Sequence, residues 1–351
     1  MDGHSDYGDN TPRKHSFDVS DLLLQVREAA RRLVADLESA RIESREWVAV
    51  ELTDRLVGQA LGRCLDRLAQ TNVWGDANRT PSSELWRIAG SWLEIGTLQR
   101  RAKEKPRGYA GDYELLQMIL TEQVDDHPLG RAFDQFFQNQ AAPLAVRSRN
   151  RMIASEIVAG QTAAVRHDGL IRPYHVVSIG SGPASDVRDA LESMPMARRR
   201  NVKVTLLDID PDSLDFARGQ LLPLLREERL STRRVNLFRL AEQATADNPP
   251  TGDMIVCSGL CDYLSDHVAA SLLSLFWTRL EPGGALLLGN FAPHNPTRAY
   301  MEWIGNWYLV YRTCEQLTEL GRAAGIPPAA QSITAESLGV DLFLRAEKPA
   351  E

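Results

Sequence analysis

The stretch HVVSIGSGPASD, residues 175–186, constrains this chain more than any other. His175 to Ile179 form a short apolar run rich in β-branched residues that halts at Gly180-Ser181-Gly182, the pattern of a buried strand entering a tight turn that opens a helix. Such a reversal needs backbone angles that glycine supplies, and a ligand approaching the turn needs the space a Cβ would fill. A second run, 202–207, ends in Asp208, and an acid at the tip of the second strand is where a doubly wound sheet holds a pair of ribose hydroxyls. A nucleoside-bearing cofactor is therefore expected on Gly180, Ser181, Gly182 and Asp208, with Asp186 and Ile209 beside them.

The 351 residues suffice for two domains, or for one with a large extension. A hydrophobic share of 43% and a charged share of 25% are those of a globular chain, so a packed core is expected. The net charge of -7, with no basic stripe beyond Arg198-Arg199-Arg200, argues against nucleic acid as partner. Cys64, Cys257, Cys261 and Cys314 show neither CxxC nor Cys/His metal spacing, so free thiols and no metal are expected. The polar start has no apolar leader and no span suits a membrane helix, which predicts a cytoplasmic protein without membrane insertion.

Residues 1–17 read as a disordered tail, poor in groups to bury. Helical periodicity follows over about 18–40, 44–69, 86–100, 113–123, 129–138 and 144–159, giving a helical cap or substrate domain over 18–165. After Arg172-Pro173, strands near 175–180, 202–208, 234–240, 253–258 and 284–290 alternate with helices, the signature of a parallel sheet with crossovers over 170–351. The alternating tail 339–346 reads as a last strand beside a weaker one near 330–334.

A lone glycine turn is shared by many nucleotide binders. Here VVSIGSGPASD (176–186) is followed by VTLLDIDP (204–211), GDMIVCSGL (252–260) and LEPGGALLLGNF (280–291). That order resembles the class I S-adenosylmethionine-dependent methyltransferases, over roughly residues 170–351. The resemblance implies a Rossmann-like sheet of that type, S-adenosyl-L-methionine as cofactor, Asp208 as the ribose acid, and Ser258 and Gly259 on the cofactor's path. The chain departs from the family at Ser178, where an acid often stands, and at Ala184, where glycine is common. Asp210 is a nearby alternative to Asp208, or simply the cap of the helix opening at Pro211.

In the helical half, KPRGYAGDYE (105–114) looks similar to the KPRGYxGDYE motif of a bacterial methyltransferase subfamily that includes 3-hydroxy fatty acid methyl ester synthases. Residues 289–291, 307–308 and 311–313 look similar to that group as well. The motif reads either as a glycine-hinged lid or as a helix connection in which Asp112 caps the next helix and Arg107 meets a carboxylate. Asp112 and Arg151 are included among the expected cofactor contacts.

Methyl transfer from a sulfonium is a direct displacement, which asks for alignment and exclusion of water rather than a metal. A carboxylate acceptor is ionised already and needs only cations or hydroxyls to hold it, so Tyr109, Tyr113, Arg147, Arg151, Tyr311 and Arg312 are candidates. Arg147 and Arg151 share a helix face at i, i+4; solvent exposure is the plain alternative. An amine or phenol acceptor needs a base, for which Asp262 and His294 stand after the fourth and fifth strands. Trp303, Trp307, Tyr308 and Tyr311 recur at helical spacing, as a packed face or an aromatic wall. The expectation is a methyltransferase of a small molecule, carboxylate methyl ester formation first and N- or O-methylation of a natural product second. A nicotinamide oxidoreductase or a non-catalytic cofactor binder would be the reading from another class, and a homodimer is left open.

Overall fold

The computed structural model describes residues 19–168, 172–242 and 249–350, so the tail expected to be disordered lies outside the described residues. Seven helices come first: α1 (Val19–Glu43), α2 (Val50–Gln70), α3 (Arg79–Leu93), α4 (Thr97–Glu104), α5 (Tyr113–Leu120), α6 (Pro128–Gln138) and α7 (Ala141–Asp168). Then follow β1 (Tyr174–Ile179), α8 (Ser185–Ser193), α9 (Met196–Arg199), β2 (Val202–Asp208), α10 (Pro211–Leu221), β3 (Leu230–Arg234), α11 (Leu237–Glu242) and β4 (Gly252–Cys257). The chain closes with α12 (Asp266–Arg279), β5 (Leu280–Phe291), α13 (Cys314–Ala323), β6 (Gln331–Ala335) and β7 (Asp341–Glu347).

The seven strands form one sheet in the order β3-β2-β1-β4-β5-β7-β6. The first five named run parallel, and β7 is antiparallel to both β5 and β6. All six residues of β1 are buried, as expected of a strand covered by helices on both faces. Strand order reverses between β1 and β4, and that switch point is where a doubly wound sheet opens a crevice at its carboxyl edge. The fold is thus a Rossmann-like doubly wound α/β sheet with a helical N-terminal region, the class expected from the sequence.

The helical half does not close its core alone. Leu33, Leu61, Leu85, Leu93 and Phe133 are buried together with Tyr300, Trp303 and Ile304 from beyond β5. The Ser82 hydroxyl and the Trp86 indole donate to the carbonyls of Trp303 (2.9 Å) and Ile304 (3.0 Å), and the Tyr300 hydroxyl donates to Gln99 at 2.7 Å. Buried polar groups are thereby paired across more than 200 residues of sequence (Tyr300 to Gln99 spans 201).

Three local expectations are corrected. The third strand is β3 rather than 234–240, because Leu237 and Leu240 are buried at i, i+3 spacing on α11. The helix expected over 86–100 divides into α3 and α4 around Gly96, which is extended. Trp303 lies in a π-helical turn, Tyr300–Ile304, beyond which residues 306–313 are irregular. The aromatic ladder is therefore not one helix face: Trp303 enters the helical core, Tyr308 donates to Asn78 at 3.0 Å, and Tyr311 lies under Arg298.

Candidate functional site

A cavity of about 470 Å³ occupies the switch point. Its floor is the turn after β1, Gly180 to Ser185, with Asp186, Asp208 and Ile209 alongside; Ser258 and Gly259 after β4 form one wall. Gly180 and Gly182 sit at φ +59° and +51°, a region that costs other residues strain. The backbone NH groups of Gly182 and Asp210 donate to the two oxygens of the Asp208 carboxylate, at 2.9 and 3.0 Å. Burial raises the carboxyls of Asp208 and Asp186, the latter to about 6. The Ser181 hydroxyl is buried and has no hydrogen-bond partner among the described residues. Ser178 is buried in β1 and does not line the cavity.

The roof is the loop 105–112 with α5 and α7. Arg107 donates to Asp210 (3.1 Å), Asp212 (2.8 Å), Glu114 (2.7 Å) and the Tyr113 hydroxyl (3.1 Å), and its guanidinium stacks on the Tyr113 ring. The Tyr109 hydroxyl donates to Asp210 at 3.2 Å, and burial and the neighbouring acids raise it. Asp210 also caps α10, so a single carboxylate both starts a helix and latches the loop. At the far end of the loop the Trp307 indole donates to the Tyr263 hydroxyl (2.8 Å), which donates to the Ala110 carbonyl (3.2 Å). Gly111 has φ +69°, and a Cβ there would lie 2.8 Å from Trp307 and 3.0 Å from the Tyr263 oxygen. Gly111→Ala is expected to keep the loop from seating, read as about 5- to 30-fold faster hydrogen exchange over residues 105–112, from a strain of roughly 1–2 kcal/mol. Unchanged exchange would mean that the loop is not held at this contact.

Behind this partition lies an inner chamber of about 30 Å³. Gly111, Leu116, Val146, Arg149, Gly259 and Tyr263 border both spaces, and Asp262 borders the inner one. Asp262 is fully buried and accepts from the Phe291 NH at 2.7 Å. Burial first, and then the nearby Asp341, raise its carboxyl to about 7.

The expected site residues divide. Tyr109, Tyr113, Gly180, Ser181, Gly182, Asp186, Asp208, Ile209, Ser258 and Gly259 line the main cavity. Asp112 does not: it caps α5 and pairs with Arg101 at 2.9 Å. Arg147 turns the other way and donates to Gln138 (2.7 Å) and the Ile119 carbonyl (3.2 Å). Arg151 and His294 are exposed and border neither space. Tyr311 packs beneath Arg298 outside both, and Arg312 is a buried clamp on Cys261, Leu264, Asp266 and Asn290. Two arginines line the cavity, Arg107 from the roof loop and Arg149 from α7, and the i, i+4 pairing of its neighbours concealed the second. Val146, Arg149, Asn150 and Ile153 all line the cavity at i, i+3, i+4, i+7, and that periodicity was the available signal.

No family model and no curated protein matches the chain. Among solved structures it is similar to a possible exported protein from Bordetella parapertussis, at 20% identity over 97% of this chain and 100% of that one, with a TM-score of 0.53. It is also similar to the CurJ carbon methyltransferase (14% identity, 95% and 93% covered, TM-score 0.48). A third is magnesium protoporphyrin IX methyltransferase from Synechocystis PCC 6803 with bound SAH (15% identity, 60% and 87% covered, TM-score 0.42). At these identities the likeness is one of fold, carried by the first of the three.

Proposed function

We propose that this chain is an S-adenosylmethionine-dependent methyltransferase of a small molecule, and that its acceptor is a carboxylate converted to a methyl ester. The observation that carries the reading is the cavity at the switch point, in which a glycine turn at positive φ and the Asp208 carboxylate stand together. The residues fit the cofactor. Asp208 is placed to accept from a ribose diol, the unpartnered Ser181 hydroxyl offers a further polar contact, and the turn admits a close approach. Asp186 supplies on the cavity wall the acid that Ser178 lacks.

When bound, S-adenosylmethionine would supply a methyl group on a positively charged sulfur, the C–S bond breaking as the acceptor oxygen bonds to carbon and S-adenosylhomocysteine departing as the leaving group. The protein's part is to align that oxygen and exclude water. The latched loop 105–112 covers the cavity, as exclusion of water requires. A carboxylate acceptor gives up no proton, so the chain need supply only donors.

A second reading, N-methylation or phenol O-methylation, is favoured by Asp262. A carboxyl raised to about 7 beside the inner chamber is suited to take a proton from an amine or phenol at neutral pH. Incubation with methyl-labelled S-adenosylmethionine and a panel of carboxylic acids, amines and phenols is expected to give a base-labile labelled ester. Label confined to nitrogen or phenol oxygen would remove the ester reading, and calorimetric binding of a nicotinamide dinucleotide in place of S-adenosylmethionine would remove both.

A further inference from the structure

We infer that Arg149 is the anchor for the anionic head group of the acceptor, that it reaches that group at the junction of the two spaces, and that Asp341 positions it. The inference rests on the methyltransferase reading and deepens it by naming what holds the acceptor.

Arg149 is nine-tenths buried on α7 and borders both the main cavity and the inner chamber. One amino nitrogen, Nη1, donates to Asp341 Oδ2 at 2.8 Å. The other, Nη2, lies 3.4 Å from where a Gly259 side chain would begin, and Gly259 itself borders both spaces. Among the described residues Nη2 and Nε make no hydrogen bond. Those donors face the two spaces rather than the packed interior, so a group entering there can accept from them. Planar oxyanions answer that geometry, since a guanidinium presents its donors as a fork that a carboxylate matches. The inner chamber, at about 30 Å³, is on the order of one or two water-sized groups, so a head group meets Arg149 at the junction and only its tip enters the chamber.

Charge arithmetic points the same way. Arg149 (+1) faces Asp341 (-1) and Asp262 (-1 when ionised), a sum of -1 that would repel an anion. Asp262 is raised to about 7, so near neutrality the cluster retains a proton and its sum approaches zero. The other ionisable groups around Asp262 are Arg312, whose charge is paired with Asp266, the hydroxyls of Tyr263 and Tyr311, and the thiols of Cys257 and Cys261. Burial raises these hydroxyls and thiols, which stay neutral. Burial also raises the carboxyls of Asp341, which has Glu336 beside it, and of Asp186 near Arg149, each to about 6, so Asp262 is the last of the three to lose its proton and that loss completes the negative charge around Arg149. An anionic acceptor is bound with that proton in place, and its affinity falls as pH rises through about 7.

The test uses the full chain and whichever of acetate, octanoate or benzoate accepts label best. Arg149→Met is expected to raise KM for the acid by about 30-fold, against less than about threefold in the Kd for S-adenosylmethionine, as loss of a charged hydrogen-bond donor implies. Arg149→Lys, which keeps the charge and loses the fork, is expected to fall between and provides the readout should the methionine variant not fold. Asp341→Asn is expected to flatten the rise of KM above pH 7, which a structural role alone would not do. An unchanged KM in Arg149→Lys with normal cofactor binding overturns the anchor and leaves the methyltransferase standing. Failure of the wild-type chain to bind S-adenosylmethionine overturns the underlying reading instead.

Discussion

Asp208→Ala is expected to weaken S-adenosylmethionine binding by about 100-fold or more, the loss that follows if the carboxylate accepts from two ribose hydroxyls at roughly 1.5–3 kcal/mol for each charge-assisted bond. Of the two backbone donors that Asp208 accepts from, Gly182 lines the cavity and can turn to water, whereas the Asp210 NH is buried and loses its acceptor, so the turn loosens without losing the sheet. Ser213 and Gln220 still hold the carbonyls of Gly182 and Pro183 at 2.9 and 3.0 Å. Calorimetric titration of the variant, with a melting curve beside it, separates affinity from stability. An unchanged Kd would move the cofactor away from the carboxyl edge of β2 and take the proposed site with it.

Arg312→Met is expected to cost about 3–5 kcal/mol of stability, since it leaves several buried acceptors without their donor at roughly 1–3 kcal/mol each. The guanidinium is 2% exposed and donates to Asp266 (2.9 Å), the Cys261 carbonyl (3.0 Å), Asn290 (2.6 Å) and the Leu264 carbonyl (2.6 Å). It thereby ties the turn after β4 to the end of β5, and methionine would leave three of those acceptors buried and unpaired. Thermal unfolding should show a midpoint about 5–10 °C lower. A midpoint within 1–2 °C of the parent, on the same scale, would show that the network is not what holds this turn.

These two residues illustrate what the sequence discloses and what it hides. Asp208 was legible because its place follows from a local rule: a strand, a terminal acid, a turn. Arg312 was legible only as a basic residue near aromatics, since its four partners lie 22 to 51 residues away in sequence, and it proves to be a clamp. The motif 105–114 is legible as a unit. Its arginine and tyrosine meet Asp210 and Asp212 in the sheet half, so whether it latches or reaches into the site was a question of tertiary distance. Arg149 lies within Arg147-Ser148-Arg149-Asn150-Arg151, where the like charges at i, i+4 are the stronger local pattern and the mixed apolar and polar face that turns inward is the weaker one. The strand read at 234–240 failed because an edge strand as short as β3 carries little alternation, while Leu237 and Leu240 supplied a stronger pattern just beyond it.

The shared helical core also sets an order of events during synthesis. Trp86 donates to a carbonyl 218 residues further along the chain. At about 5–20 residues per second, the ribosome delivers Ile304 roughly 10–40 seconds after Trp86. Through that interval α2 and α3 have no final partner for the surface that Trp303 and Ile304 will cover. The first half of the protein must therefore wait, partly unsatisfied, for the last third to be made, and a shortened transcript ending before residue 300 would yield helices that cannot complete their own interior.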